Sequence, residues 1–153
     1  MDPLRLVGTW DFRREVHDHR DGAEYTARGE AEFTLEDDGQ VRWTERGTLR
    51  WAAGSTPVSR TLFLVREDPA DDGASAPAWL VTFEDGRDFH PWTVGAVEHL
   101  CGRDLYRGGV DLPAEPAVSS DREREPEREW ELHWRVTGPE KDYTMDTRYS
   151  RPR

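Results

Sequence analysis

Hydrophobic and polar positions alternate with a period of two along nearly the whole chain, and no segment of ten or more residues carries a helical period. Gly8 to Val16 reads as a first strand, with Trp10 and Phe12, extended to Arg14, on one face. His17 to Gly22 is turn chemistry, where Asp21-Gly22 supplies a positive φ. Glu24 to Glu36 alternates with Ala31, Phe33 and Leu35 on one side, and Asp37-Asp38-Gly39 closes a hairpin. Val41 to Trp51 follows, with Val41, Trp43, Glu45, Gly47, Leu49 and Trp51 on the apolar face and Arg42, Thr44, Arg46, Thr48 and Arg50 facing solvent. Arg60 to Arg66 is the next strand; Trp79 to Glu84 pairs with Arg87 to His90 across an Asp-Gly turn. Pro91 removes a ladder donor, which sets His90 at a strand end or an edge. Val97 to Cys101 and Asp104 to Val110 read as a strand interrupted at Gly102 by a bulge or kink. Trp130 to Val136 and Lys141 to Ser150 complete the pattern, joined by Thr137-Gly138-Pro139-Glu140. Nine or ten antiparallel strands joined by short turns curl and close to remove their edges, so the pattern predicts an all-β, up-and-down antiparallel barrel.

Composition alters this picture mainly at two stretches. Hydrophobic and charged residues each make up 35% of the 153 residues, and much of the charge gathers at 67–77 and 113–129. Exposed mobile loops are expected near 67–77 and 113–127, inside a single domain spanning 1–153. A net charge of −11 argues against a general nucleic-acid binder and against docking on anionic lipid. One cysteine makes no internal disulfide. The opening MDPLRLVGTW has no signal-peptide core, and no run approaches the ~20 apolar residues of a membrane span, so a cytoplasmic protein is expected. A homodimer is compatible with the sequence. Lys141 is the only lysine among 21 basic residues.

Candidate chemistry concentrates between Phe83 and Gly109, which holds His90, His99, Cys101, Asp104 and Tyr106. His99 and Cys101 lie two apart on one strand face, and with His90 or Asp104 they have the ligand types of a zinc site. The spacing is non-specific, and a small buried Cys with a hydrogen-bonded His is a common structural pair. A nucleophilic Cys101–His pair lacks a helix N-terminus to activate the thiol. Glu45 is a carboxylate on the buried face, so it must be paired, hydrogen-bonded or protonated. It could form an acid/base pair with Asp104 or an ion pair with Arg60. Lys141 and Tyr143 follow a Gly-Pro turn, either as plain hairpin residues or reaching, with Tyr106, into a barrel mouth. His133, His17 and His19 should face outward. Seven tryptophans supply apolar walls or dense packing.

Gly8-Thr9-Trp10 opening the first strand, with Thr147-Arg148-Tyr149-Ser150-Arg151 in the last, resembles the calycin group of lipocalins, fatty-acid-binding proteins and nitrobindins. That resemblance implies a barrel whose Trp10 packs against Arg148 or Arg151 as a structural plug. More narrowly, Phe89-His90, His99-x-Cys101-x-x-Asp104-x-Tyr106 and Gly138-Pro139-x-Lys141-Asp142-Tyr143 resemble a domain-of-unknown-function family of calycin-like barrels. No helix–turn–helix lid follows the first strand, unlike fatty-acid-binding proteins. The last histidine is His133, whereas a nitrobindin's haem ligand lies near the C-terminus, which puts haem ligation in doubt. The reading is a barrel holding a small, partly apolar ligand, oriented by Glu45, Arg60, His90, His99, Tyr106, Lys141 and Tyr143. The alternatives are a metal- or haem-dependent protein or enzyme using His90, His99, Cys101 and Asp104, and an interaction module presenting its acidic 113–129 segment.

Overall fold

The computed structural model describes residues 2–67, 78–111 and 128–153. The loops expected near 67–77 and 113–127 lie outside the described residues, apart from Glu67. A single 3-10 turn, Pro3–Leu6, precedes ten strands: β1 Gly8–Asp18, β2 Glu24–Leu35, β3 Val41–Trp51, β4 Gly54–Arg66, β5 Trp79–Phe83, β6 Asp88–Trp92, β7 Gly95–Cys101, β8 Asp104–Asp111, β9 Glu129–Thr137 and β10 Asp142–Ser150. All ladders are antiparallel, in the order β6-β5-β4-β3-β2-β1-β10-β9-β8-β7. The first and last strands meet in register, Phe12 opposite Tyr149. The sheet wraps into a nearly closed up-and-down barrel, with its seam where β6 and β7 lie side by side without a ladder.

Local details differ from the expected boundaries in three places. Gly102 marks no bulge: Gly102-Arg103 form a tight turn with Cys101 opposite Asp104, and φ of +64° at Gly102 is where glycine is favoured. His90 lies on an edge strand, one of the two places expected from Pro91, and the strand runs on to Trp92 because among the described residues β6 forms a ladder with β5 alone. The strand expected from Arg60 begins at Gly54, so the β3–β4 hairpin overhangs the barrel and leaves Trp51 exposed despite its alternating position.

One end of the barrel is packed solid. Trp10, Phe33, Trp43, Trp92 and Trp130 meet edge-on or stacked at 5.2–6.3 Å between ring centroids. Leu6 is buried beneath them, and its carbonyl accepts from Trp10 Nε1 at 2.7 Å. Arg151 lies 4.0 Å over the Trp10 ring and donates to the carbonyls of Arg5, Val7 and Thr9. The plug therefore uses Arg151. Arg148 faces outward, paired with Glu131.

Toward the other end the inward faces of four strands become partly exposed, while Trp134 and Val136 on β9 stay buried. On β1 the inward side chains pass from buried Trp10 and Phe12 to partly exposed Arg14 and Val16. On β3 they pass from Val41, Trp43 and Glu45 to Gly47 and Leu49; on β4 from Leu64 and Leu62 to Arg60 and Val58. On β10 they pass from Tyr149 and Thr147 to Met145 and Tyr143. A side chain that points into a barrel yet meets solvent lines an opening, and four strands show that gradient toward the same end.

Candidate functional site

The floor of this open half is a charged cluster. Three strands contribute an ionisable side chain at an inward position where alternation would place an apolar one: Arg14, Glu45 and Arg60. Glu45 and Arg60 are direct cross-strand neighbours, and β2 lies between β3 and β1, with Ala31 opposite Glu45 and Ala27 opposite Arg14. Glu45 is 2% exposed. Arg14 Nη2 donates to both carboxylate oxygens, at 3.1 and 2.8 Å. Arg60 Nη2 donates to Oε1 at 2.9 Å, while its Nε sits 2.8 Å from Oε2. The Tyr149 hydroxyl donates to Oε1, and Arg14 Nε donates to Thr147 Oγ1 at 2.9 Å.

Rings hold these groups in place. Tyr149 stacks on Trp130 at 3.9 Å with an interplanar angle of 5°. The Arg60 guanidinium lies 4.9 Å over Trp43. Burial on its own would raise the Glu45 carboxyl, but the charges of Arg60 and Arg14 and the bonds from Arg60 and Tyr149 outweigh it and hold the group at about 2. For Arg60, burial works against the charge and Glu45 overcomes it, raising the guanidinium above its ordinary value. Burial, then the Glu45 charge, pushes the Tyr149 phenol upward, so it remains a donor. Glu45 is thus ionised and fully coordinated by donors, which suits a fixed counter-charge and not a proton-transfer group.

Above the floor stand the histidines. His90 on β6 is 2% exposed, its ring 4.8 Å from Trp134 and 4.7 Å from Phe89. Its Nδ1 lies 2.9 Å from the Pro91 carbonyl, which fixes the proton there and leaves Nε2 as an acceptor. Burial lowers this imidazole to about 4, with His99 and Arg60 adding repulsion against the Pro91 bond, so it is neutral. His99 on β7 meets Phe89 edge-on at 6.0 Å, and its buried Nε2 has no hydrogen-bond partner among the described residues.

The mouth carries a second polar group. Lys141 Nζ reaches Asp104 Oδ2 at 2.6 Å and the Tyr106 hydroxyl at 3.4 Å, and Tyr143 is hydrogen-bonded to Tyr106. The bond that Lys141 donates to Asp104 raises its amine, and burial raises the Tyr143 phenol. Asp104 fits because position 138 is glycine: a Cβ there would lie 2.0 Å from Asp104 Oδ1. The close pairing of Lys141 is with Asp104, which lies beside the β9–β10 turn, and not with its neighbour Asp142, which pairs with Arg135.

The expected residues form two tiers: Glu45 and Arg60 make the floor, and His90, His99, Tyr106, Lys141 and Tyr143 stand beyond it, with His99 directly opposite Tyr106 on the neighbouring strand. The suggested zinc ligands do not converge, because Asp104 is held by Lys141 and His90 Nδ1 by Pro91. Among the described residues no three His, Cys, Asp or Glu side chains stand close enough to share an ion. Asp104 and Glu45 form no acid/base pair, since each is engaged by its own cations at a different level. His17, His19 and His133 are exposed, with His133 bonded to Asp146 on the outer face. Arg14, Thr147 and Tyr149 were not among the expected site residues. The available signal was Arg14 in line with Trp10 and Phe12, a cation at a buried position complementary to Glu45.

One solved structure shares the architecture. The S-type phycobiliprotein lyase CPES from Guillardia theta superposes with a TM-score of 0.61 at 12% identity, covering 98% of this chain and 90% of the lyase. A de novo designed fluorescence-activating β-barrel aligns over 99% of both chains at 16% identity, with a TM-score of 0.46. No curated protein matches the sequence. No helix among the described residues is long and apolar enough to cross a membrane. Residues 6–151, nearly the whole chain, match one family, and the protein belongs to that family of unknown function, DUF6314.

Proposed function

We propose that this barrel binds a small, partly apolar molecule in its open half. The carrying observation is the burial gradient: Val16, Leu49, Val58 and Met145 point inward and remain partly exposed, while the same faces are sealed at the tryptophan end. Apolar walls drive burial of the ligand, and the polar tiers orient it. The lyase likeness supports the fold; the ligand reading rests on the cup itself. The whole chain acts as one binding domain in the cytoplasm, as a monomer or homodimer, without nucleic-acid or membrane partners, a placement that rests on composition.

Filling the cup tests the reading. Leu49→Trp puts an indole into the open half from a wall that solvent already reaches, so the fold should persist. Binding of an uncharged apolar fluorophore such as phenylnaphthylamine should fall at least about tenfold in this variant, since a lost pocket contact of about 1.4 kcal/mol is a factor of ten. An unchanged affinity in a folded Leu49→Trp variant contradicts binding in the cup.

A further inference from the structure

Resting on that reading, we propose that the ligand carries an anionic group, a carboxylate or sulfonate, that docks against Arg60 at the cup floor. The floor holds two guanidiniums against one carboxylate, leaving one uncompensated positive charge in a chain whose net charge is −11. Arg14 is nearly enclosed, whereas the Arg60 side chain is 28% exposed and borders a notch of about 480 Å³ beside Phe83. Among the described residues β4 has no partner on that side before Leu62: its ladder to β5 runs from Leu62 to Arg66, which leaves Arg60 beyond the end of that ladder. Arg60 presents one edge to Glu45 and keeps a further N–H face for a second acceptor.

The other charges in this region do not cancel the floor. Asp104 is neutralised by Lys141 at the mouth, and Asp85 by Arg87 at the notch rim. Glu84 at that rim is exposed, where water and salt screen it. The floor charges lie in a poorly solvated setting and act at greater strength on a bound group. His99 Nε2, buried and without a hydrogen-bond partner among the described residues, is a second position for a ligand hydrogen bond. An anion on Arg60 would compensate the excess charge that Glu45 leaves over.

Two probes with the same rings test this: anilinonaphthalene sulfonate and uncharged phenylnaphthylamine, each titrated by fluorescence into the full chain. The wild-type chain should favour the sulfonate by about tenfold or more, the scale of one charge-assisted hydrogen bond. Glu45→Gln raises the floor charge by one and should increase that ratio; Arg60→Met lowers it by one and should bring the ratio toward unity. The two changes move the ratio in opposite directions, so general loosening of the fold cannot imitate the result. Equal affinities in the wild type, or a ratio that Arg60→Met leaves unmoved, overturn the anionic docking. Failure of both probes to bind overturns the cup reading itself.

Discussion

Glu45→Ala should lower the stability of the barrel by about 3–5 kcal/mol in urea denaturation at neutral pH. The loss does not come from the missing carboxylate contacts alone. It comes from leaving Arg14 and Arg60 facing each other across the floor, largely desolvated, with no counter-charge. The Tyr149 hydroxyl loses its acceptor in the same step. Glu45→Gln keeps an acceptor oxygen and should cost less than Glu45→Ala. The same cluster gives a pH signature. Glu45 titrates at about 2 in the folded chain against an ordinary value of 4.5, so the unfolded chain binds its proton first as pH falls. Its contribution, roughly 3 kcal/mol, is complete above pH 4.5 and is lost between there and about pH 2. A stability curve flat across that window, or a Glu45→Ala cost under about 1 kcal/mol, would show that the floor cluster is mostly solvated.

His90→Phe should remove a loss of stability that the wild type suffers at milder acidity. Folded His90 titrates at about 4, below its ordinary value of 6.5, because burial against Phe89 and Trp134 resists the charge. The charged and titratable groups facing it, Arg60 from β4 and His99 from β7, add to that resistance. Protonation therefore favours the unfolded chain, and the wild type should lose roughly 3 kcal/mol as pH falls from 6.5 to about 4. Phenylalanine has similar bulk and fits among the surrounding rings, so at pH 7.5 the variant should lie within about 1.5 kcal/mol of wild type. At pH 4.5 it should be the more stable of the two. If both proteins lose stability in parallel over this range, His90 is not the group responsible.

The fold was legible because period-two alternation is a local property and one face of nearly every strand is apolar. Ten strands and short turns then left few topologies open. The tryptophan plug was implied by the family resemblance that Trp10 and the arginine-bearing final strand carry, and only the structure distinguishes Arg151 from Arg148. Glu45 stood out as a carboxylate on a buried face, and Arg60 as its partner. Arg14 was harder, since one inward arginine near a strand end reads equally as a residue reaching solvent. What brings Arg14 to Glu45 is the stagger of strands around the barrel, which depends on every ladder at once. The β7–β8 hairpin departs from the expected interrupted strand because Gly102 serves a bulge and a tight turn alike, and two-residue turns need no further signature. The converging Lys141, Asp104 and Tyr106 come from strands distant in sequence, which no local spacing encodes.

The most direct test of the divided interior is a crystal structure of the chain soaked with phenylnaphthylamine. Density for the probe should lie in the open half, against Leu49 and Met145 and above the Glu45–Arg60 pair, with the tryptophan end unchanged. Density confined to the outer face of the sheet, or an open half filled by the protein's own side chains, would contradict the account.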